Sequence, residues 1–160
     1  MINDHIKAQF IQPNLKIIGY SLYAIRTSLL SAINSSKSQI NGIVVDLGCG
    51  EMPYKNLLME NGNITEYIGI DIQPTAYHNL VKPDIYWDGK EIPLPDNFAD
   101  WFILTEFLEH YFDTQNILKE IYRVLKPGGH IYFTVPCIWP LHEMPYDEYR
   151  FTPFSLEKHF

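Results

Sequence analysis

Asp46-Leu47-Gly48-Cys49-Gly50 sets a carboxylate directly ahead of a Gly-x-Gly turn. Asp46 closes the apolar run Ile43-Val44-Val45, which is rich in β-branched residues. Short apolar runs with turn residues behind them read as buried strands of a parallel sheet. A carboxylate at the end of such a strand is costly without partners, so Asp46 implies a polar neighbour or a ligand. Gly48 and Gly50 permit a tight turn and the close approach of a ligand. The segment from Pro53 to Asn61 has helical pattern, with Pro53 suited to a first turn. The N–H groups of turn and helix start are then expected to hold an anionic group. A second apolar run, Tyr67-Ile68-Gly69-Ile70-Asp71, also ends in an acid. Nucleotide folds place an acid roughly 20 residues past the glycines, where it takes ribose hydroxyls.

These groups need elements to hold them. Ile18, Leu22, Ile25, Leu29 and Ile33 recur at helical spacing, so an amphipathic helix precedes the first strand. The expected division is residues 1–41 as helix and linker, and 42–160 as the ligand-binding domain. Pro74, Asn79 and Pro83 argue that any crossover helix after Asp71 is short or absent. Asp84 to Asp88 gives a third strand, ending at Asp88-Gly89, and Ile92 to Asn97 a proline-stiffened loop. Phe98 to Leu104 is a fourth strand, followed by Thr105-Glu106-Phe107-Leu108-Glu109-His110. Asp113 is an N-cap for a helix from Thr114 to Leu125, which Lys126-Pro127-Gly128-Gly129 stops. Ile131 to Val135 is a fifth strand.

Strands alternating with helices imply an α/β, doubly wound, mainly parallel Rossmann-like sheet with helices on both faces. Such sheets bind ligands beyond the carboxyl ends of their strands. Asp46, Asp71, Asp88, Thr105 and Pro136 would share that edge.

Composition bounds the function. The chain has 160 residues, 46% hydrophobic and 19% charged, enough for one domain with a sizeable core. A net charge of −7 argues against nucleic-acid backbone as a partner. The segment from Ile17 to Ile33 is interrupted by Arg26, Ser and Thr, and falls short of a membrane span. The start of the chain lacks the pattern of a secretory signal. Cys49 and Cys137 have neither disulfide-framework nor metal-site spacing, so a reducing cytoplasm and no metal are expected.

Val-Val-Asp-Leu-Gly-Cys-Gly (44–50), Tyr-Ile-Gly-Ile-Asp (67–71), Ile-Pro-Leu-Pro-Asp (92–96), Glu109-His110 and Leu-Lys-Pro-Gly-Gly (125–129) follow one another in a set order. Together they resemble the class I S-adenosylmethionine-dependent methyltransferases, over roughly residues 40–136. His142 to Thr152 resembles a segment of many small bacterial members. The resemblance implies S-adenosylmethionine as cofactor and a small-molecule methyl acceptor, such as a sugar or surface-polysaccharide intermediate. It implies that Gly48, Cys49 and Gly50 hold the methionine carboxylate, with Asp46 orienting the amino group or the loop. It also implies that Asp71, with Ile72 beside it, accepts from the ribose hydroxyls, and that Asp88 with Gly89 meets the adenine. Thr105 and Glu106 would line the floor of the methyl-donor pocket. The third glycine that many members carry is Met52 here.

Methyl transfer is an in-line displacement that mostly needs alignment and exclusion of water. A base is required only for an acceptor that starts protonated. His142 and His110 are the candidate catalytic residues, with Glu109 and Glu143 near them in sequence. Arg150 with Asp147 or Glu143 reads as an ion pair that locks a loop. The resemblance further implies a seven-stranded sheet, whereas the pattern here yields five strands before Phe160. The fifth strand would then be an open edge, covered by the N-terminal helix, a second copy or a partner. Two other classes stand against this reading. A dinucleotide oxidoreductase is disfavoured by the missing third glycine. A catalytically silent methyltransferase-like subunit, or a remnant that needs a partner, is favoured by the short C-terminus.

Overall fold

The computed structural model describes residues 4–60, 62–72 and 81–160. Its centre is a sheet of five parallel strands: β1 (Gly42–Leu47), β2 (Ile64–Ile72), β3 (Ile85–Trp87), β4 (Ala99–Thr105) and β5 (Leu125–Thr134). Their spatial order is β3-β2-β1-β4-β5. Because all pairings are parallel, every carboxyl end lies on one edge. The order reverses between β1 and β4, which puts the crevice of the fold above those two strands.

Alternation along each strand feeds two cores. Val45 and Leu47 of β1 and Phe102 and Leu104 of β4 face one side, packed with Ile117, Ile121 and Val124. These last three belong to α4 (Thr114–Val124), whose Asp113 cap accepts from the N–H of Asn116 at 3.2 Å. Val44 and Ile103 face the other side, packed with Ile33 and Leu58. Ile33 comes from α2 (Leu15–Ser36) and Leu58 from α3 (Lys55–Met59). A short α1 (Asp4–Ile6) and a wide π-type turn, Lys7–Ile11, precede them. At the C-terminus, α5 (Pro153–Leu156) is held by a reciprocal capping box between Thr152 and Ser155.

Four expectations need correction. The N-terminal helix runs longer than its apolar stripe and is broken at Gly19, whose φ of 75° and ψ of 167° are not helical. Only the C-terminal half of the stripe is used: Leu29 and Ile33 are buried, while Leu22 stays exposed. The helix expected over Pro53–Asn61 contracts to α3, and Asn61 lies outside the described residues. Leu125 opens β5 rather than ending α4, pairing with Ala99 before the register shifts across Lys126–Gly129. The crossover expectation at Pro74 and Asn79 falls outside the described residues.

Ile33 and Ile40 share a core with Val44 and Ile103. Strand β5 is an outer strand of the sheet, with Ile131 and Phe133 half-buried and Phe160 stacked on Phe133 at 4.7 Å between ring centroids. Among the described residues, no helix is long and apolar enough to cross a membrane.

Candidate functional site

The turn after β1 and the segment after β4 meet across the crevice. Gly48 has φ 72°, and a Cβ there would stand 2.3 Å from Cδ2 of Phe107. Gly48 is therefore glycine because Phe107 fills its side-chain space. Gly50 differs: its φ is 48°, and a Cβ there would meet nothing within 4 Å. Of the two glycines, only Gly50 opens onto free space. Met52 keeps a left-handed backbone at φ 48°, the conformation a glycine would adopt at lower cost.

The N–H groups of this turn are already used. Gly48 and Cys49 donate to the carbonyl of Ile70 at 2.9 and 3.1 Å. Gly50 donates to Oδ2 of Asp71 at 2.7 Å. With α3 starting only at Lys55, the expected cradle of free N–H groups for an anion at Gly48, Cys49 and Gly50 is not formed. The physical reason is the neighbouring strand: β2 presents a carbonyl and a carboxylate to the turn, and both bond to it.

Asp46 and Asp71 flank this turn. Asp46 is buried, with Oδ2 accepting from the Tyr67 hydroxyl at 2.6 Å. Its Oδ1 is buried without a hydrogen-bond partner. Burial pushes its pKa up to about 7, opposed by the Tyr67 hydrogen bond and reinforced by the charge of Asp71. Asp71 lies at the end of β2, where Oδ1 also accepts from the N–H of Ile72 at 2.7 Å. Ile72 itself is exposed. Below them, Asp84 accepts from the N–H of Gly69 at 2.8 Å and pairs with Lys55 at 3.4 Å. Tyr67 and Asp84 were not singled out by sequence reasoning. Tyr67 stands in the strand beside Asp46, so strand pairing was the only available signal for it.

Asp88 is exposed after β3, its Oδ1 accepting from the N–H of Lys90 at 3.0 Å. The Tyr111 hydroxyl donates to the carbonyl of Gly89, and the Tyr111 ring stacks on Trp87 with 5.9 Å between centroids. Thr105 ends β4 opposite Thr134. Glu106 follows with φ 53°, its N–H donating to the Thr134 carbonyl at 3.1 Å. A non-glycine residue held in that region stores strain, a feature that clusters at binding sites. Glu106 and Thr134 form the polar end of a cleft of about 300 Å³. Ala24, Ile25, Ser28 and Leu29 of α2, with Val135, Pro136 and Ile138, form the rest of its walls, apolar except for Ser28.

The two candidate histidines are brought together. Their rings lie 4.8 Å apart, edge to face. His110 ends a short helical turn, Leu108–His110, and its Nδ1 lies 2.8 Å from the Tyr146 carbonyl. Beside them the Glu109 side chain is fully buried, and neither of its oxygens has a hydrogen-bond partner. Burial pushes its pKa up to about 8. Asp147 and Arg150 lock this loop with two ion-pair bonds at 2.6 and 2.7 Å. The Arg150 bonds hold the Asp147 carboxyl well below the usual carboxylate range.

Asp46 gives a direct test of this electrostatic picture. A carboxyl whose folded pKa exceeds its unfolded value binds an extra proton in the native state. Its contribution to stability is therefore lost as pH rises from the ordinary carboxyl value of 3.8 to about 7. At about 1.4 kcal/mol per pH unit, the span is worth a few kcal/mol. Asp46→Asn keeps an acceptor for Tyr67 and removes the titration. Setting the two urea midpoints against each other near pH 3.5, Asp46→Asn should gain on the wild type steadily as pH rises and lead it most at pH 8. Parallel pH curves for the two proteins would contradict the assigned burial cost.

Residues 45–133 match the family model described as "Methyltransferase domain". The ubiquinone/menaquinone biosynthesis C-methyltransferase UbiE of Caulobacter vibrioides is 37% identical over 76 residues, 44% of this chain and 30% of that protein. The enzyme of the same name from Proteus mirabilis is 29% identical over 134 residues, 74% of this chain and 53% of that protein. The chain thus matches between about a third and about half of the length of these relatives. A solved structure titled as a SAM-dependent methyltransferase from Archaeoglobus fulgidus shares the fold. Its TM-score is 0.65 at 21% identity, over 98% of this chain and 71% of that one.

Proposed function

Because the chain belongs to the methyltransferase-domain family, we propose that it transfers a methyl group from S-adenosylmethionine to a small-molecule acceptor. The observation that carries this reading is the pair of acids at the crevice, Asp46 with an unpartnered buried Oδ1 and Asp71 bonded to the Gly50 turn. The residues fit the cofactor. An orphaned buried carboxylate oxygen suits an ammonium group, since a cation there offsets the cost of burying the charge. Asp71 has the acceptor capacity for two ribose hydroxyls, Asp88 and Gly89 stand one strand further out for the adenine, and Thr105 and Glu106 close the opposite side. When bound, the cofactor supplies an activated methyl group. The chain's own work is to orient the acceptor and exclude water.

The cleft beside Glu106 is where we place the acceptor. Its walls are mostly apolar, with Ser28, Thr134 and Glu106 as the polar groups. That lining favours an acceptor with an apolar body and one polar group over a bare sugar, and the quinone-pathway names of the curated relatives agree with it. His110 and His142 do not line this cleft but follow the same two strands, β4 and β5, that bring Glu106 and Thr134 to it, and an acceptor that starts protonated would need one of them within reach. Replacing Ile25 with Trp fills the cleft from α2 while leaving the Asp71 side intact. Methylation of a quinol-like acceptor by Ile25→Trp should fall at least tenfold, with S-adenosylmethionine affinity within about twofold of wild type. Equal loss of both would place the cleft on the cofactor side instead.

A second reading, a methyltransferase-like subunit that works with a partner, is favoured by the outer position of β5 and its half-buried apolar residues. A second copy or another protein would cover that edge. The free thiols Cys49 and Cys137 support a reducing, cytoplasmic setting.

A further inference from the structure

We propose that Glu109, His110 and His142 form a binding site for a divalent transition-metal ion, zinc by preference, which joins the turn after β4 to the loop after β5. One ligand atom from each of the three residues lies within 4.8 Å of the others. The Nε2 of His110 is 3.9 Å from Oε1 of Glu109 and 4.0 Å from Oε2 of Glu143. Tetrahedral bonds of about 2.0–2.1 Å separate donors by roughly 3.3–3.4 Å. Small side-chain rotations therefore close the site around an ion.

Three further features favour a cation over a plain core cluster. Glu109 is fully buried, and both of its carboxylate oxygens lack a hydrogen-bond partner. A buried carboxylate without donors is costly, and metal coordination is one of the few ways to meet that cost. His110 turns its Nδ1 to the Tyr146 carbonyl at 2.8 Å, which leaves Nε2 with the lone pair. The Nδ1 of His142 stands 3.2 Å from Oδ2 of Asp147 but is buried without a hydrogen-bond partner, so this ring too has a nitrogen that an ion can take. The carbonyl oxygen behind His110 is the usual outer shell of a ligating imidazole. Two imidazoles with one carboxylate suit zinc or ferrous iron rather than magnesium.

The loop is already clasped to this place. The N–H groups of Glu148 and Tyr149 donate to the Glu109 carbonyl at 2.9 and 3.1 Å. The ion would add a side-chain bond to that backbone clasp. It would also stand near the acceptor cleft, since Glu106 lines that cleft and Glu109 lies three residues further along, in the turn Leu108–His110. This last role deepens the acceptor-side reading given above and rests on it: the histidines would act on an acceptor oxygen through the ion. Metal binding itself does not rest on it.

The test is calorimetric titration of the chelator-treated full chain with Zn²⁺, and visible absorption of the same chain with Co²⁺. The expected result is one ion per chain, with a strong Co²⁺ band typical of low coordination number. His142→Ala and His110→Ala should each weaken binding about a hundredfold or more. His159→Ala, at a histidine bonded to Gln115 instead, should leave binding unchanged. The Co²⁺ spectrum of the wild type needs no variant, so the test survives a variant that fails to fold. No stoichiometric binding by the folded wild type would overturn the site, as would binding that both folded histidine variants retain. S-adenosylmethionine binding is measured separately on the same samples, so failure of the metal site and failure of the methyltransferase reading are told apart.

Discussion

Asp71→Asn should weaken S-adenosylmethionine binding at least a hundredfold while leaving the fold intact. Asp71 stands at the end of β2 and accepts from the N–H groups of Gly50 and Ile72 through different oxygens. An ionised carboxylate can accept further bonds on both oxygens, whereas an amide replaces one acceptor with a donor. Hydrogen bonds to charged groups contribute about 1.5–3 kcal/mol each; losing one outright and the charge assistance of the other corresponds to about a hundredfold or more. Asparagine can still accept from Gly50, which keeps the turn in place. Asp84→Asn is the matched control. Asp84 bonds to Gly69 and Lys55 beneath the turn, so its change should lower the urea midpoint and spare most of the affinity. If Asp71→Asn bound as tightly as wild type, the ribose would have to lie elsewhere.

Gly48→Ala should cost about 3 kcal/mol or more of stability, and Gly50→Ala only about 1. At Gly48 the new Cβ meets Cδ2 of Phe107 at 2.3 Å, at a φ of 72°. Left-handed strain of about 1–2 kcal/mol then adds to overpacking of about 1–3 kcal/mol. At Gly50 the strain remains but the space is open, so the smaller cost stands alone. Gly50→Ala should instead act on ligand binding, because its Cβ enters the space where a ligand would approach. Chemical denaturation of both variants, with cofactor titration of the survivor, checks the pair. Equal stability losses would mean that Phe107 does not set the identity of residue 48.

The contrast between these two glycines shows where reading the sequence stopped. The pattern Gly-x-Gly after an apolar run located the turn, and the acids at 46 and 71 located the edge. Both follow from local chemistry, since strands, caps and turns are written in neighbouring residues. The N-cap at Asp113 was legible for the same reason, and the structure has it bonded to Asn116. What Gly48 is for depends on Phe107, far along the chain, and local pattern holds no trace of it. The same limit explains the N–H groups of the turn. They were expected to be free for an anion, yet the Ile70 carbonyl and the Asp71 carboxylate already take them. The apolar stripe of α2 was readable, but its partial use was not, because burial is decided by where the helix crosses the sheet. His110 and His142 were each legible as candidates. That they stand ring to ring beside a buried Glu109 is a product of the loop after β5 folding back, held by Arg150 and Asp147.

The central claim is that the crevice between β1 and β4 binds S-adenosylmethionine through Asp46 and Asp71. Calorimetric titration of the purified chain with S-adenosylmethionine and S-adenosylhomocysteine tests it most directly. We expect one site per chain, micromolar dissociation constants, and affinity that rises with pH toward a plateau above about 7, as Asp46 loses its proton to meet the ligand's ammonium group. A folded chain that shows no heat of binding with either ligand would contradict the claim.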